Sequence, residues 1–188
     1  EDIQPGVMQQ WRLHFSYYNP TEIVATPNYI FAIGNGSLYA VDRRSETIEY
    51  FDKSNGLTGS TIAHIAYDNA SGQLIICYED GRIDLLDQEG NITQMPDLFL
   101  KAGSMAVDIQ CITVGKRHTY LGMSFGIVAI NPRKAEVTET YYIGPEASSV
   151  PVQQIVEWGD SLYAFSDNRV FSAALTDNLV DYTFWKET

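Results

Sequence analysis

The chain has 188 residues, of which 45% are hydrophobic, and its 24 acidic against 12 basic residues give a net charge of −12. That charge repels phosphate backbones and anionic membrane surfaces, so nucleic acid is not an expected partner. No run approaches the roughly 18 continuous apolar residues that cross a bilayer as a helix, so a soluble chain is expected. Its opening, Glu1-Asp2-Ile3-Gln4-Pro5, suits an exported protein already trimmed of its leader.

The first predicted element is Trp11 to Tyr17, whose alternating apolar and polar side chains fit an outer strand lent to the last sheet of an array. A first unit follows with strands at 22–25, 29–33, 37–41 and 47–51. Its central turn, Asn35-Gly36, is a strong two-residue hairpin signal because both positions must accept positive φ. The second unit places strands at 62–67, 73–78, 82–86 and 91–94. Between its first two strands, Asp68 to Gly72 offers only Asp68 and Asn69 as calcium ligands, so an Asx turn is expected there. Residues 97–102 are too short for an independent helix and read as a connector. The third unit has strands at 109–114, 119–123, 127–130 and 136–142, and the fourth at 154–157, 161–165, 170–173 and 181–185. Residues 54–57 and 144–149, each just past a fourth strand, read as loops on one rim.

The central turns recur at near-constant intervals, 45 residues from Gly36 to Gly81, 45 from Gly81 to Gly126 and 43 on to Arg169. A period in the forties built from short strands is that of a β-propeller blade. The expected fold is therefore all-β: one partial propeller domain over residues 1–188, with four blades of four antiparallel strands at about 22–53, 62–95, 109–142 and 153–185. Second strands are nearly continuous apolar runs and fourth strands alternate, as expected for sheets stacked face to face. Four blades are at the low end for closure, so the chain is expected to belong to a larger or oligomer-completed propeller. Gly36, Gly81 and Gly126 then have structural roles.

Few residues suggest chemistry. Cys77 and Cys111 lie inside strand-like runs and read as buried free thiols, with a bridge between adjacent blades as the alternative. His14, His64 and His118 stand alone, without the clustering that metal sites need, and neither a nucleophile elbow nor a phosphate loop is present. No catalytic, cofactor or metal residue is assigned. In Arg82-Ile83-Asp84-Leu85-Leu86 alternation puts Arg82, Asp84 and Leu86 on one face, so Asp84 is expected to be a buried structural acid held by backbone amides or Arg82. Phe31, Tyr39, Tyr78, Tyr120 and Tyr163 fall in strands and read as core. Trp158, beside Gly159-Asp160 at a hairpin turn, and Tyr17-Tyr18, near a blade edge, are the candidate contacts for a ligand or partner.

Several stretches, in order, resemble the N-terminal β-propeller of PorZ-type cell-surface proteins associated with the type IX secretion system. They are Trp11 to Tyr17, Ser54-Asn55-Gly56-Leu57-Thr58, Gly81 to Leu86, Ser124 to Asn131 and Glu139 to Gly144. The resemblance implies an exported envelope protein of a Gram-negative bacterium with two propellers and a C-terminal domain. It also implies work with a sortase-like partner and with anionic lipopolysaccharide at the outer membrane. This chain is far shorter than that plan. The blade also resembles periplasmic propellers of hybrid two-component regulators that sense glycan fragments, which share Asn55-Gly56-Leu57. The expected function is a non-catalytic binding and scaffold propeller that presents loops to a protein partner or surface glycan. The alternatives are a glycan-sensing propeller and a propeller hydrolase or lyase with carboxylates converging in the channel.

Overall fold

The computed structural model describes residues 19–95, 98 and 107–188. The expected closing strand at 11–17, the 97–102 connector apart from Leu98, and the candidates Tyr17 and Tyr18 lie outside the described residues. The described residues form four antiparallel meanders. The first holds β1 (Pro20–Ala25), β2 (Tyr29–Gly34), β3 (Ser37–Asp42) and β4 (Ile48–Phe51); the second holds β5 (Ile62–Asp68), β6 (Gln73–Tyr78), β7 (Ile83–Leu86) and β8 (Ile92–Met95). The third holds β9 (Ile109–Val114), β10 (Thr119–Met123), β11 (Gly126–Asn131) and β12 (Glu136–Tyr141); the fourth holds β13 (Gln154–Trp158), β14 (Ser161–Ser166), β15 (Arg169–Ala174) and β16 (Lys186–Glu187). First strands neighbour one another in sequence, β1 by β5, β5 by β9 and β9 by β13, so they are the innermost strands of the blades.

Strand alternation gives every sheet two apolar faces, and three cores lie between the four sheets. Phe31, Ile33 and Leu38 of the first sheet meet Ile65, Leu74 and Ile76 of the second. Ile75, Cys77 and Leu85, on the other face of the second sheet, meet Ile109, Leu121 and Val128 of the third. Tyr120, Ile127 and Tyr141 of the third then meet Ile155, Leu162 and Phe171 of the fourth. The same alternation separates the two cysteines. Cys77 faces the third blade, whereas Cys111 faces the fourth, so both are buried and free. Burial pushes both thiols up, that of Cys111 to about 11, which suits inert core residues.

The outer faces of the first and fourth sheets carry the same pattern with nothing against them among the described residues. Register pairing sets Ile23 by Ala32, Ala25 by Ile30 and Tyr39 by Tyr50 on one outer face, and Val156 by Tyr163 and Phe165 by Val170 on the other. Ile23 is 62% and Ile48 56% exposed on the first face, with Val156 44% and Phe165 37% exposed on the last. By register, Tyr163 and Phe165 occupy the positions that Ile75 and Cys77 hold in the second blade, where they are buried. This overturns one expectation. Phe31, Tyr78 and Tyr120 are core, but Tyr39 and Tyr163 are half-buried on the uncovered faces.

The turns follow their chemistry. Asn35 and Gly36 both take positive φ, 50° and 74°, closing β2 onto β3 in the two-residue turn that the dipeptide specifies. A Cβ on Gly126 would strike the Tyr141 carbonyl oxygen, so β11 can leave its turn only as glycine. Gly81, at φ 84°, sits in the equivalent turn against Val107. Asp68 forms the expected Asx turn, its Oδ1 accepting the Ala70 amide at 3.0 Å.

One predicted strand is different. Residues 181–185 form a 3₁₀ turn at Tyr182–Phe184 instead of the fourth strand of the last blade, which is the short β16. The cause is local: Asp181 Oδ1 accepts the Thr183 amide at 2.9 Å and its hydroxyl at 2.7 Å. Trp185 then turns inward, donating its indole N–H to the Leu179 carbonyl at 3.0 Å and tilting against Tyr141.

Asp84, fully buried on β7, holds an inter-blade loop to the second sheet. Its carboxylate accepts the Thr58 amide at 2.8 Å, the Thr58 hydroxyl at 2.6 Å and the Tyr78 hydroxyl at 2.6 Å. Burial first, then this bond to Asp84, raises the pKa of the Tyr78 phenol, which keeps its proton for donation. Backbone amide and hydroxyl donors thus hold the acid, and Arg82 serves elsewhere, donating to the Thr58 carbonyl at 2.6 Å and pairing with Asp80 at 3.3 Å. Asp84→Ala leaves buried donors unpaired and is expected to cost roughly 2–4 kcal/mol in urea denaturation, with Asp84→Asn losing clearly less because it keeps an acceptor.

Candidate binding surfaces of the blades

In a four-strand meander the first and third turns emerge at one edge of the sheet and the second turn at the other, so the four blades present two rims. On the second-turn rim the connecting segments zip onto neighbouring hairpins. The Ile62 amide donates to the Gly36 carbonyl at 2.8 Å, and the Val152 amide to the Met123 carbonyl at 2.9 Å. The short 3₁₀ turns Lys53–Asn55 and Pro145–Ala147 stand here at equivalent places after β4 and β12, where loops at 54–57 and 144–149 are expected. Glu146 and Ala147 both hold positive φ, 55° and 57°.

The rim of first and third turns has a different character. Six of the twelve Lys and Arg residues stand in its turns, Arg43, Arg44, Lys116, Arg117, Arg133 and Lys134, so positive charge is concentrated on one edge of an acidic chain. Four of them reach main-chain carbonyls in a facing turn. Arg43 donates to Thr26 O at 3.0 Å, Lys116 to Gly159 O at 3.0 Å, Arg117 to Leu175 O at 3.5 Å and Arg133 to Ala70 O at 2.7 Å. These bonds brace turns and leave the cations' charge at the surface. A groove of about 190 Å³ between the second and third blades is lined by Lys116, Arg117, His118, Asn131 and Arg133. A second, of about 150 Å³, lies between the third and fourth blades, with Arg117, His118, Tyr120, Glu139 and Asp177 on its walls. His118 is half-buried, its Nδ1 3.4 Å from the Thr138 hydroxyl and its ring edge-on to Tyr120. Burial pushes the Tyr120 phenol up to about 12, and that of Tyr141 is raised by burial and by donation to Glu139 at 2.6 Å.

Trp158, at the end of β13, is on this rim and 75% exposed, next to the Gly159 carbonyl that receives Lys116. Among the three candidates for contact it is the one within the described residues. Gly36, Gly81 and Gly126 stand in tight turns at positive φ, and Asp84 is buried on β7. His64 is not alone: its Nδ1 lies 2.5 Å from Glu22 Oε1, a contact between blades that local spacing cannot reveal. Among the described residues no group of three or more His, Cys, Asp or Glu side chains could hold a metal ion. No described helix is long and apolar enough to cross a membrane.

Comparison with known proteins bears on this arrangement. The sequence profile of the type IX secretion PorZ N-terminal β-propeller domain matches residues 30–186. The chain belongs to the PorZ N-terminal propeller family. A search of curated proteins gave no match. PorZ of Porphyromonas gingivalis, described as an essential bacterial surface component of the type IX secretion system, shares 27% identity with a TM-score of 0.76, over 90% of this chain and 22% of that one. The extracellular domain of the putative hybrid two-component system BT4673 of B. thetaiotaomicron shares the fold, with a TM-score of 0.67 at 15% identity over 87% of this chain and 21% of that one. The BT3049 domain of the same organism gives 0.59 at 15% identity over 87% and 23%. This member of the PorZ propeller family thus spans about a fifth of the length of each of these structures, which are surface or extracellular domains.

Trp158 provides a direct check of the rim. In a Trp11→Phe background, Trp158→Ala is expected to remove the water-exposed, acrylamide-quenchable tryptophan emission and leave the buried Trp185 signal, while changing stability by no more than about 0.5 kcal/mol.

Proposed function

We propose that this chain is a non-catalytic binding and scaffold section of an exported envelope protein of a Gram-negative bacterium, and that its turn rim is the contact surface for a surface glycan or protein partner. The observation that carries the reading is the exposed Trp158 beside a set of surface cations in a chain of net charge −12. An exposed indole costs solvation unless something stacks on it, and its flat apolar face suits a sugar ring. Membership of the PorZ propeller family supports a place in type IX secretion. Two half-buried or buried acids, Glu22 and Asp84, are engaged in structural bonds, Glu22 with His64 and the Ile65 amide and Asp84 with Thr58 and Tyr78. That favours binding over turnover.

The uncovered faces of the first and fourth sheets belong to the same reading. Their residues stand at register positions that are packed in the inner blades, so we read both as seats for flanking sheets, from a longer polypeptide or a second copy.

Calorimetric titration of the chain with purified surface polysaccharide tests the rim. Binding is expected, and Trp158→Ala is expected to weaken it by about tenfold or more, as loss of an aromatic anchor does. Binding that Trp158→Ala and Lys116→Ala leave unchanged would move the contact surface elsewhere. Absence of binding, together with hydrolysis of the polysaccharide, would replace the reading with an enzymatic one.

A further inference from the structure

On the innermost strands a histidine joins the first two blades. His64, on β5 of the second blade, places Nδ1 2.5 Å from Oε1 of Glu22 on β1 of the first blade. The other carboxylate oxygen of Glu22 accepts the Ile65 amide at 2.8 Å, so Glu22 grips β5 at two successive residues. The backbone of Ile109, at the start of β9 in the third blade, also favours the charged ring. As an imidazolium, His64 pairs with the Glu22 carboxylate as an opposite charge; as a neutral ring it keeps at most one hydrogen bond to Glu22, without the charge.

The surroundings favour the charged state. The charged groups facing His64 are Glu22 from the first blade and Asp108, just before β9, from the third; both are acidic. Cys77, its cross-strand neighbour on β6, has its thiol pushed far up by burial and stays neutral. The ring is 23% and Glu22 31% exposed, so water and protons reach the pair.

We propose that the Glu22–His64 pair is a proton-responsive tie at the inner edge of the propeller: protonated, His64 holds the first blade to the second as an ion pair, and neutral, it leaves a weaker tie between them.

The sign follows from linkage. The Glu22 bond, opposed by burial, raises the folded-state pKa of His64 above its ordinary value. The stabilisation is therefore fully present below about 6.5, histidine's unperturbed pKa, and is lost as pH rises through the raised folded value. In an NMR titration of the intact chain, the His64 ring is expected to titrate above the ordinary histidine value of about 6.5, and the Ile65 amide resonance to move with the same midpoint. The folding equilibrium constant is expected to fall by about tenfold for each pH unit by which His64 is raised. Glu22→Gln is expected to lower the His64 midpoint and flatten this pH dependence, while His118→Gln leaves both unchanged. If Glu22→Gln fails to fold, the wild-type titration still decides. A His64 midpoint at or below about 6.5, or an Ile65 amide that does not follow it, overturns the proposal.

Discussion

Each sheet in this molecule is apolar on both faces, and that constraint shapes everything else. Four strands with alternating side chains cannot bury two apolar faces alone, so a blade is stable only between two others. The core is accordingly three separate layers rather than one centre, and the chain's organisation is one-dimensional. The elements that look decorative in sequence, the short segments between fourth and first strands, fix the stacking. They pair with the hairpin turns of adjacent blades and tie themselves to buried groups such as Asp84.

The same constraint divides the polar groups into kinds. Between blades they are few, and the buried charge of Asp84 is held by three donors, because an unpaired charge between two apolar faces is costly. At the inner edge, where strands converge and water enters, the Glu22–His64 pair joins the first two blades. On the outer rims, charges are exposed and brace turns through backbone carbonyls, where each contributes little to stability and remains available for contacts. Binding is thus compatible with the rim, while the interior has the inert thiols and neutral phenols of a purely structural core.

Much of the fold was legible because it rests on local signals. Asn35-Gly36 specifies a hairpin whatever surrounds it, the period of 45 residues marks equivalent turns, and alternation put Asp84 on the face opposite Ile83 and Leu85. What alternation does not carry is which face is covered. Tyr39 and Tyr163 have strand patterns like those of Phe31 and Tyr120, yet they are on the ends of the stack. Nor does it distinguish a strand from a capped turn: Asp181 has a hydroxyl two residues on, and that bond overrides the β propensity of Tyr182 to Trp185. Trp158 was readable because a tryptophan beside Gly159-Asp160 at a turn has little to pack on. The Glu22–His64 pair was not, since its members are 42 residues apart and meet only when two blades stack.

If stacking is the source of stability, its distribution is measurable. Native-state hydrogen exchange of the amides in β6, β7, β10 and β11, compared with those in β2, β3, β14 and β15, tests this most directly. The account predicts that the inner two sheets exchange only through global unfolding, while the end sheets, each with one bare face, open earlier and at lower free energy. Equal protection across all four sheets would contradict it, because each blade would then be stable without its neighbours.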